Sequence, residues 1–355
     1  MWTAGAGAHS LVVESMGDAR DVRARWHELA AASRNVFSTW EWTSVWWRHF
    51  GAGRALEVWS VPDADGRAIA LLPLARERRG PFRIVRFAGN GVADELAPVC
   101  APADRVVATA ALRDAAEGAD VLIAERLPSD WPPRLLGGRI LSEDESPVIS
   151  LAAEGDWEAY LRARSSNFRQ QVRRRGRKLQ GGLDVRFRLA DDPARLDADL
   201  DALVALHRAR WGAQSSSFGG AREAFHREFA AVALERGWLR LWLAESEGVP
   251  VGAWYGFRFA GVESYYQSGR DPQWDRHAIG AGILEHSIRE AFADGMHEYR
   301  LLRGDESYKR RYASAPGAVV TVALPGTARG RALVAGVETL AVRPRGRRLV
   351  SRLAT

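Results

Sequence analysis

Two segments of the sequence follow the same pattern, and this repeat constrains the fold more than any other feature. Residues 59–74 and 242–257 each contain a β-rich run, an acidic turn that ends in Gly66 or Gly248, and a second apolar run. A short polar turn with glycine between two such runs is typical of a β-hairpin. Each hairpin is preceded by helical segments and followed by a strand and a helix. The sequence therefore predicts a duplicated α/β unit.

The length of the chain agrees with two units, because single cores rarely grow beyond about 250–300 residues and this chain has 355. A Pro- and Gly-rich patch at 128–138 and an acidic turn at 142–146 mark the expected join. We expect an N-terminal unit over residues 1–145, a C-terminal unit over 146–325, which includes a last strand at 318–323, and a basic helix and tail over 326–355. The tail helix is predicted at 328–341.

Composition and motif searches exclude several classes of protein. The balance of apolar and charged residues is that of a folded chain, and no stretch approaches the roughly 18 apolar residues of a membrane span. The N-terminus lacks the features of a secretory signal. With Cys100 alone and no H-x-x-x-H spacing, the sequence offers no disulfide and no metal site, and we expect a cytoplasmic protein.

A turn with two glycines opens the helix predicted at 280–293. Gly280 and Gly282 follow a predicted strand. Glycines at a helix N-terminus let a ligand approach the backbone N–H groups, and the helix dipole favours an anion there. A pyrophosphate is the kind of ligand that such a turn serves. The alternative is that the glycines only allow the helix to pack closely on the sheet. A Rossmann site is not indicated, since no G-x-G-x-x-G occurs early in a βαβ unit.

The order of helices, antiparallel strands, glycine-bearing helix and strand resembles the GNAT N-acyltransferase superfamily, whose acyl-CoA signature is Q/R-x-x-G-x-G/A. Here the signature is His277-x-x-Gly280-x-Gly282, which departs at its first position, with Arg276 adjacent. The second half is similar to the CelD-like subfamily, which is related to the FemABX aminoacyl transferases. The similarity extends over roughly residues 20–325. Its motifs are Ser166-Asn167-Phe168-Arg169-x-x-x-Arg173, Leu206-His207-x-x-Arg210-Trp211, Tyr265-Tyr266-Gln267-Ser268-Gly269-x-Asp271-Pro272 and Gly304-Asp305-Glu306-Ser307-Tyr308-Lys309.

The resemblance implies an α/β (α+β) protein of tandem GNAT-like units, each a mostly antiparallel mixed sheet flanked by helices. It implies an acyltransferase that uses acetyl-CoA or another acyl-CoA, without a metal, and acts on an amine in an amino sugar, a cell-envelope polysaccharide or a natural-product precursor. Two alternatives remain open: a FemABX-like transferase with an aminoacyl-tRNA donor, and a non-catalytic binding protein with a vestigial site. The expected donor-binding residues are His277, Ala278, Ile279, Gly280, Ala281 and Gly282.

Acyl transfer to an amine needs a base, an acid for the leaving thiolate and donors for the oxyanion. Glu263, on the strand just before the glycine turn, is the candidate base. The alternative is that it is a solvent-exposed strand residue without a catalytic role, as lone carboxylates often are. Tyr308 lies where the superfamily often has its acid. The resemblance also implies a role in transfer for Lys309; the alternative is a surface ion pair between Lys309 and Asp305. The expected substrate-binding residues are Arg169, Arg173, Trp211, Tyr266, Asp305 and Glu306.

The basic residues are almost all arginine, because Lys178 and Lys309 are the only lysines among 50 basic residues. Coding bias accounts for most of this imbalance. In a helix predicted at 157–179, four arginines fall on one stripe, which is either a solvated face or a surface for an anionic acceptor or a tRNA backbone. They are Arg162, Arg169, Arg173 and Arg177. The arginines at 343–352 indicate a solvated terminus, or one that contacts a membrane surface or nucleic acid.

Overall fold

A computed structural model describes residues 3–5, 8–13, 20–131, 136–212 and 215–341. The chain divides into two compact units. The first takes in 1–146, 303–305 and 317–355, and the second takes in 147–302 and 306–316. The basic tail at 342–355 lies outside the described residues. Within the described part of the chain, no helix has the length and apolar character needed to cross a membrane.

The strands in chain order are β1 (Thr3–Gly5), β2 (Ala8–Val13), β3 (Ala55–Pro62), β4 (Ala68–Arg79), β5 (Phe82–Phe87), β6 (Val99–Cys100), β7 (Val121–Pro128), β8 (Arg139–Glu145), β9 (Val148–Ile149), β10 (Val185–Leu189), β11 (Leu239–Ser246), β12 (Val249–Phe259), β13 (Val262–Arg270), β14 (Glu298–Arg300) and β15 (Ala318–Pro325). The helices are α1 (Arg20–Ser33), α2 (Trp40–Phe50), α3 (Arg105–Glu117), α4 (Leu151–Glu154), α5 (Trp157–Arg162), α6 (Ser166–Gly176), α7 (Leu196–Trp211), α8 (Ala221–Glu235), α9 (Ile279–Ala293), α10 (Ser307–Tyr312) and α11 (Ala328–Ala341). The last of these confirms the predicted tail helix.

The two units repeat one topology. In the first unit, β3, β4 and β5 are antiparallel neighbours, and α3 leads to β7, which pairs with β5 in parallel. In the second unit, β11, β12 and β13 are antiparallel, and α9 leads to β14, which pairs with β13 in parallel. Two helices precede the first hairpin strand in both units. The predicted duplication, with mixed and mostly antiparallel sheets flanked by helices, is confirmed.

The last strand, β15, lies in the first unit and not in the second, where the sequence analysis had assigned it. It pairs antiparallel with β7 on one side and with β8 on the other. The segment at 142–146, which the sequence predicts to be an acidic turn, is largely part of strand β8. Its residues Ser142 and Asp144 lie opposite Thr321 and Val319. Pairing with the apolar β15 gives this acid-rich segment an extended structure that its own β-propensity does not indicate.

The single helix expected at 157–179 is broken into α5, α6 and a π-helical turn at Arg177–Gly182. The break follows from the Ser165 side chain, which caps α6 by accepting a hydrogen bond from the Phe168 amide at 3.3 Å. The Arg169 guanidinium donates to the carbonyls of Arg162 and Arg164, which belong to the end of α5 and the linker. The arginine stripe of the sequence analysis therefore does not lie on one continuous helical face.

A close backbone contact fixes α7 on the sheet of the second unit. A Cβ atom on Gly269 of β13 would come within 2.3 Å of the His207 amide nitrogen and 2.5 Å of the Leu206 carbonyl carbon. Both atoms belong to the α7 backbone, so a side-chain rotation cannot relieve the clash. Only glycine at position 269 allows α7 to lie this close to β13.

We expect Gly269→Ala to lower the free energy of unfolding by about 3 kcal/mol, because the added methyl group forces α7 away from the strand. The matched control is Gly176→Ala, at a helical position where no heavy atom lies within 4 Å of an added Cβ. This control should raise stability by about 0.5–1 kcal/mol, through helix propensity. Denaturant unfolding measures both values; equal effects would contradict the packing argument.

Candidate functional site

A cavity opens in the second unit where two parallel strands stop pairing. Strand β13 pairs with β14 only from Val262 to Ser264, and it then continues to Arg270. The cavity beside this continuation has a volume of about 390 Å³, and we call it the α9 cavity. Its lining comes from β13, the turn before α9 and helices α6, α7, α9 and α10: Arg175, Arg210, Tyr265, Ser268, Arg270, Asp275, Ala278, Gly280, Ala281, Leu284, Tyr308, Arg311 and Tyr312.

The N-terminus of α9 forms one wall of this cavity. Ala278 precedes the helix in the left-handed conformation, with φ 54° and ψ 42°, which is strained for a residue with a Cβ atom. No side chain caps the helix. The Gly280 N–H is among the first amides of the helix, which have no intrahelical acceptor. Three of the expected donor-binding residues, Ala278, Gly280 and Ala281, line the cavity.

Two arginines flank Gly280. A Cβ atom on this glycine would lie 3.4 Å from Cδ of Arg270 and 3.9 Å from a guanidinium nitrogen of Arg210. The Arg270 side chain also forms an ion pair with Asp275, and the Arg210 guanidinium stacks on the Trp211 ring at 4.4 Å. A helix N-terminus with two guanidinium groups beside it is suited to a multiply charged anion.

Gly282 has a different environment from Gly280. A Cβ atom here would lie 2.3 Å from Cδ1 of Leu179, which is buried in the π-helical turn after α6. The close-packing interpretation of the glycine turn therefore applies to Gly282. Gly280 faces the cavity, and Gly282 allows α9 to pack closely against the neighbouring turn.

Three hydroxyl groups form a chain along the cavity. The Tyr308 hydroxyl donates to the Tyr265 hydroxyl at 3.4 Å, and the Tyr265 hydroxyl lies 2.7 Å from Oγ of Ser268. Burial raises the pKa of both tyrosines above the usual value of a phenol. Tyr308 and Tyr265 therefore stay protonated at neutral pH, so the chain keeps its protons.

A buried ion pair ties three helices together behind the cavity. The Arg175 guanidinium of α6 pairs with the Glu285 carboxylate of α9, which accepts a hydrogen bond from the Tyr312 hydroxyl of α10 at 2.7 Å. Burial raises the pKa of Glu285, although Arg175 opposes the shift. Arg175 and Tyr312 line the cavity, so this network fixes part of its wall.

Lys309 does not line the α9 cavity. Its side chain is buried, with Nζ 3.1 Å from a Glu306 carboxylate oxygen and 3.4 Å from the Leu302 carbonyl oxygen. The surface pair expected between Lys309 and Asp305 is replaced by this pair with Glu306, which is three residues away. Asp305 itself is exposed.

Glu263 lies at the other end of α9 from the cavity. Its buried carboxylate is 2.6 Å from the Arg258 guanidinium, which also pairs with Asp294, just after the last residue of α9. Burial raises the pKa of Glu263 to about 6 despite Arg258. The cavity is at the first turn of this 15-residue helix, which is about 22 Å long. The structure does not bring Glu263 to the cavity.

The other expected binding residues are dispersed. Arg169 holds the end of α5, and Arg173 forms an exposed ion pair with Glu158 at 3.0 Å. Tyr266 packs against His226 and Phe257, among aromatic side chains that do not line the cavity. Three more of the expected binding residues lie outside the lining of the α9 cavity. Trp211 is 51% exposed, and Ile279 is buried. His277 is half-buried and accepts a hydrogen bond from Arg276.

Several residues that line the cavity were not predicted from the sequence. Tyr265, Ser268 and Arg210 stand inside motifs that the resemblance had already singled out, so the signal for them was present. Arg175 and Arg311 had no comparable signal, because the break between α5 and α6 and the short helix α10 decide where they point. Among the described residues, no group of three or more His, Cys, Asp or Glu side chains is arranged to hold a metal ion.

Comparison with known proteins gives a domain match for part of the chain. Residues 166–310 match the acetyltransferase (GNAT) domain. This segment contains α6, α7 and the glycine turn, and it ends within α10, so it includes all but two of the residues that line the α9 cavity. No curated protein sequence matches the chain.

Solved structures resemble the chain over both units. A structure of FemX has a TM-score of 0.62 at 10% identity, over 89% of this chain and 97% of FemX. L-PGS from Bacillus licheniformis has a TM-score of 0.57 at 13% identity, over 95% and 98% of the two chains. A tandem GNAT protein from the clavulanic acid biosynthesis pathway has a TM-score of 0.50 at 14% identity, over 90% and 99%. At these identities the likeness shows the fold. Residues 166–310 of this chain are thus similar to the acetyltransferase (GNAT) domain, within a two-unit fold like that of FemX.

Proposed function

We propose that the protein transfers an acyl group from acetyl-CoA or another acyl-CoA to an amine, with the CoA pyrophosphate at the N-terminus of α9. The single observation that carries this proposal is the uncapped first turn of α9, where Arg210 and Arg270 lie beside Gly280. The helix terminus contributes about half a positive charge. The two guanidinium groups can each form bidentate hydrogen bonds with phosphate oxygens. The acceptor class is an amino sugar, a cell-envelope polysaccharide or a natural-product precursor, and the single cysteine is consistent with a cytoplasmic setting.

The chain of hydroxyl groups supports a direct transfer. The amine nitrogen attacks the thioester carbonyl, a C–N bond forms, and the C–S bond then breaks. The leaving thiolate takes a proton from the Tyr308 hydroxyl, which lines the cavity and turns from Tyr265 to the sulfur. Tyr265 and Ser268 extend the chain through which Tyr308 regains a proton. The proton that the amine loses passes to solvent.

A second candidate keeps the transfer and changes the donor to an aminoacyl-tRNA. The observation in its favour is the basic surface of α6 and the turn that follows, where Arg173, Arg174, Arg177 and Lys178 are all exposed. Such a surface suits a phosphate backbone. Nuclease treatment of a cell extract separates the two donors, since it abolishes a tRNA-dependent activity and leaves a CoA-dependent one intact.

We expect Arg210→Gln and Arg270→Gln each to weaken acetyl-CoA binding by about 10- to 100-fold, because each removes charge-assisted hydrogen bonds of about 1.5–3 kcal/mol. The control is Arg186→Gln, which removes the same charge from a side chain that is 80% exposed on β10. Calorimetric titration measures the dissociation constants. Failure of the unsubstituted protein to bind acetyl-CoA would overturn the proposed donor.

Tyr308→Phe should lower kcat by about 10²- to 10⁴-fold, the usual contribution of a general acid, and leave the affinity for acetyl-CoA unchanged. The control is Tyr266→Phe, which removes a hydroxyl from the neighbouring aromatic cluster and should leave kcat unchanged. Steady-state release of CoA gives both values. Equal rates for the two variants would rule out Tyr308 as the acid.

Glu263→Gln should affect stability and not catalysis. We expect the free energy of unfolding to fall by about 1.5–3 kcal/mol, because Arg258 loses its buried carboxylate partner and keeps only the exposed Asp294, while kcat stays the same. Thermal unfolding and CoA release measure the two effects. A loss of kcat of about 10²-fold or more in a folded variant would restore Glu263 as the general base.

A further inference from the structure

A second cavity lies beside the α9 cavity and shares one residue with it. Its volume is about 540 Å³, and we call it the α6 cavity. The linker between α5 and α6, the first turns of α6 and one residue of α10 line it: Arg164, Ser165, Asn167, Phe168, Gln171 and Arg311. Arg311 belongs to the lining of both cavities. A molecule in the α6 cavity is therefore next to the proposed acyl donor.

The lining of the α6 cavity is positively charged. Its two charged members are Arg164 and Arg311, and none of the six lining residues is acidic. The Arg164 charge is partly balanced, because its guanidinium lies 3.3 Å from the Glu154 carboxylate. The Arg311 guanidinium instead donates to the neutral amide oxygen of Gln171 at 2.9 Å and lies over the Phe168 ring at 5.9 Å. Net positive charge thus remains at the point where the cavities meet.

The polar side chains around Arg311 are held in place. The Gln171 amide accepts from Arg311 through its oxygen and donates to the Asn167 side-chain oxygen through its nitrogen at 3.0 Å. The Arg311 guanidinium lies over the Phe168 ring, and its bond to Gln171 uses one amino group, which leaves other N–H groups of its fork for a ligand. A side chain oriented in this way loses little entropy when an anion binds.

We propose that the α6 cavity binds an anionic group, a carboxylate or a phosphate, of the amine that accepts the acyl group. The inference rests on the proposed function and specifies its acceptor as an amine that also carries a negative charge. Arg311 binds the anion through bidentate hydrogen bonds. Because Arg311 also lines the α9 cavity, an acceptor of a few bond lengths places its amine beside the thioester carbonyl. Amino acids and phosphorylated amines have this chemistry, and simple amines do not.

The test measures the binding of three small amines to the protein, both without CoA and with excess CoA, which under the proposed function occupies the α9 cavity. The probes are O-phosphoethanolamine, β-alanine and ethanolamine, in calorimetric titrations. We expect one of the two anionic probes to bind about tenfold or more tightly than ethanolamine, the scale of one charge-assisted hydrogen bond. Tighter binding of O-phosphoethanolamine identifies phosphate as the anion, and tighter binding of β-alanine identifies carboxylate.

Asn167 provides the decisive variant, because it lines the α6 cavity and not the α9 cavity. Asn167→Asp adds a negative charge in the first turn of α6, where a carboxylate is compatible with the helix dipole. This substitution should weaken binding of the anionic probe by about tenfold and leave acetyl-CoA binding unchanged. Asn167→Ser is the neutral control. Arg311→Gln should also weaken binding of the probe. Arg174→Gln removes an exposed charge from α6 outside both cavities and should leave binding of the probe unchanged.

Equal binding of ethanolamine and the anionic probes, no binding of either anionic probe, or no effect of Asn167→Asp would each overturn the inference. Titration of the same proteins with acetyl-CoA shows whether the acceptor site or the proposed acyl-CoA donor is wrong. Normal acetyl-CoA affinity without anion selectivity rejects the acceptor site alone. Anion selectivity that responds to Asn167→Asp, in a protein that does not bind acetyl-CoA, rejects the donor alone.

Discussion

The site depends on a parallel strand pair that is only three residues long. Strand β14 pairs with β13 from Val262 to Ser264 and ends at Arg300, while β13 continues to Arg270. The backbone of β13 beyond that point lacks β14 as a partner, and the first turn of α9 lies beside it. Buried backbone groups without a sheet partner need another one. A cavity bounded by such a strand edge and a helix N-terminus is therefore ready to accept a polar ligand.

Three glycines of the second unit serve three separate purposes around this cavity. Gly269 lets the α7 backbone approach β13, which brings Arg210 to the cavity. Gly282 lets α9 pack against Leu179 of the π-helical turn, and Gly280 keeps the cavity-facing side of the helix free of a side chain. A methyl group at any of these positions would meet a different neighbour, so their substitutions have different consequences.

The second unit contains both buried ion pairs and guanidinium groups that line the cavities. The pair of Glu263 with Arg258 lies at the far end of α9, and the pair of Arg175 with Glu285 links α6 to α9 behind the cavity wall. These buried carboxylates have raised pKa values because burial disfavours their charge. At Gly280 and at the junction of the two cavities, guanidinium groups of Arg210, Arg270 and Arg311 instead line open space.

The sequence by itself determined the repeated unit, the glycine-bearing helix α9 and the motifs that contain Tyr308, Arg210 and Tyr265, because hairpins, helix periods and turn residues are local properties. The GNAT resemblance also came from those motifs. The pairing of β15 with β7 and β8 was not predictable in this way, since strands more than 170 residues apart in sequence carry no local signal of their partnership.

Only the tertiary structure decided which side chains of β13 reach the cavity. Opposite Tyr255 and Gly256 the register shifts, so Tyr265 pairs with Gly256 while Gln267 pairs with Tyr255, and Tyr266 is the extra residue. A bulge of this kind changes the alternation of side chains along a strand. Tyr265, Ser268 and Arg270 therefore share the cavity, which strict alternation from Glu263 does not predict. Burial and ion pairing then made Glu263 part of the fold, because its partners Arg258 and Arg240 come from β12 and β11.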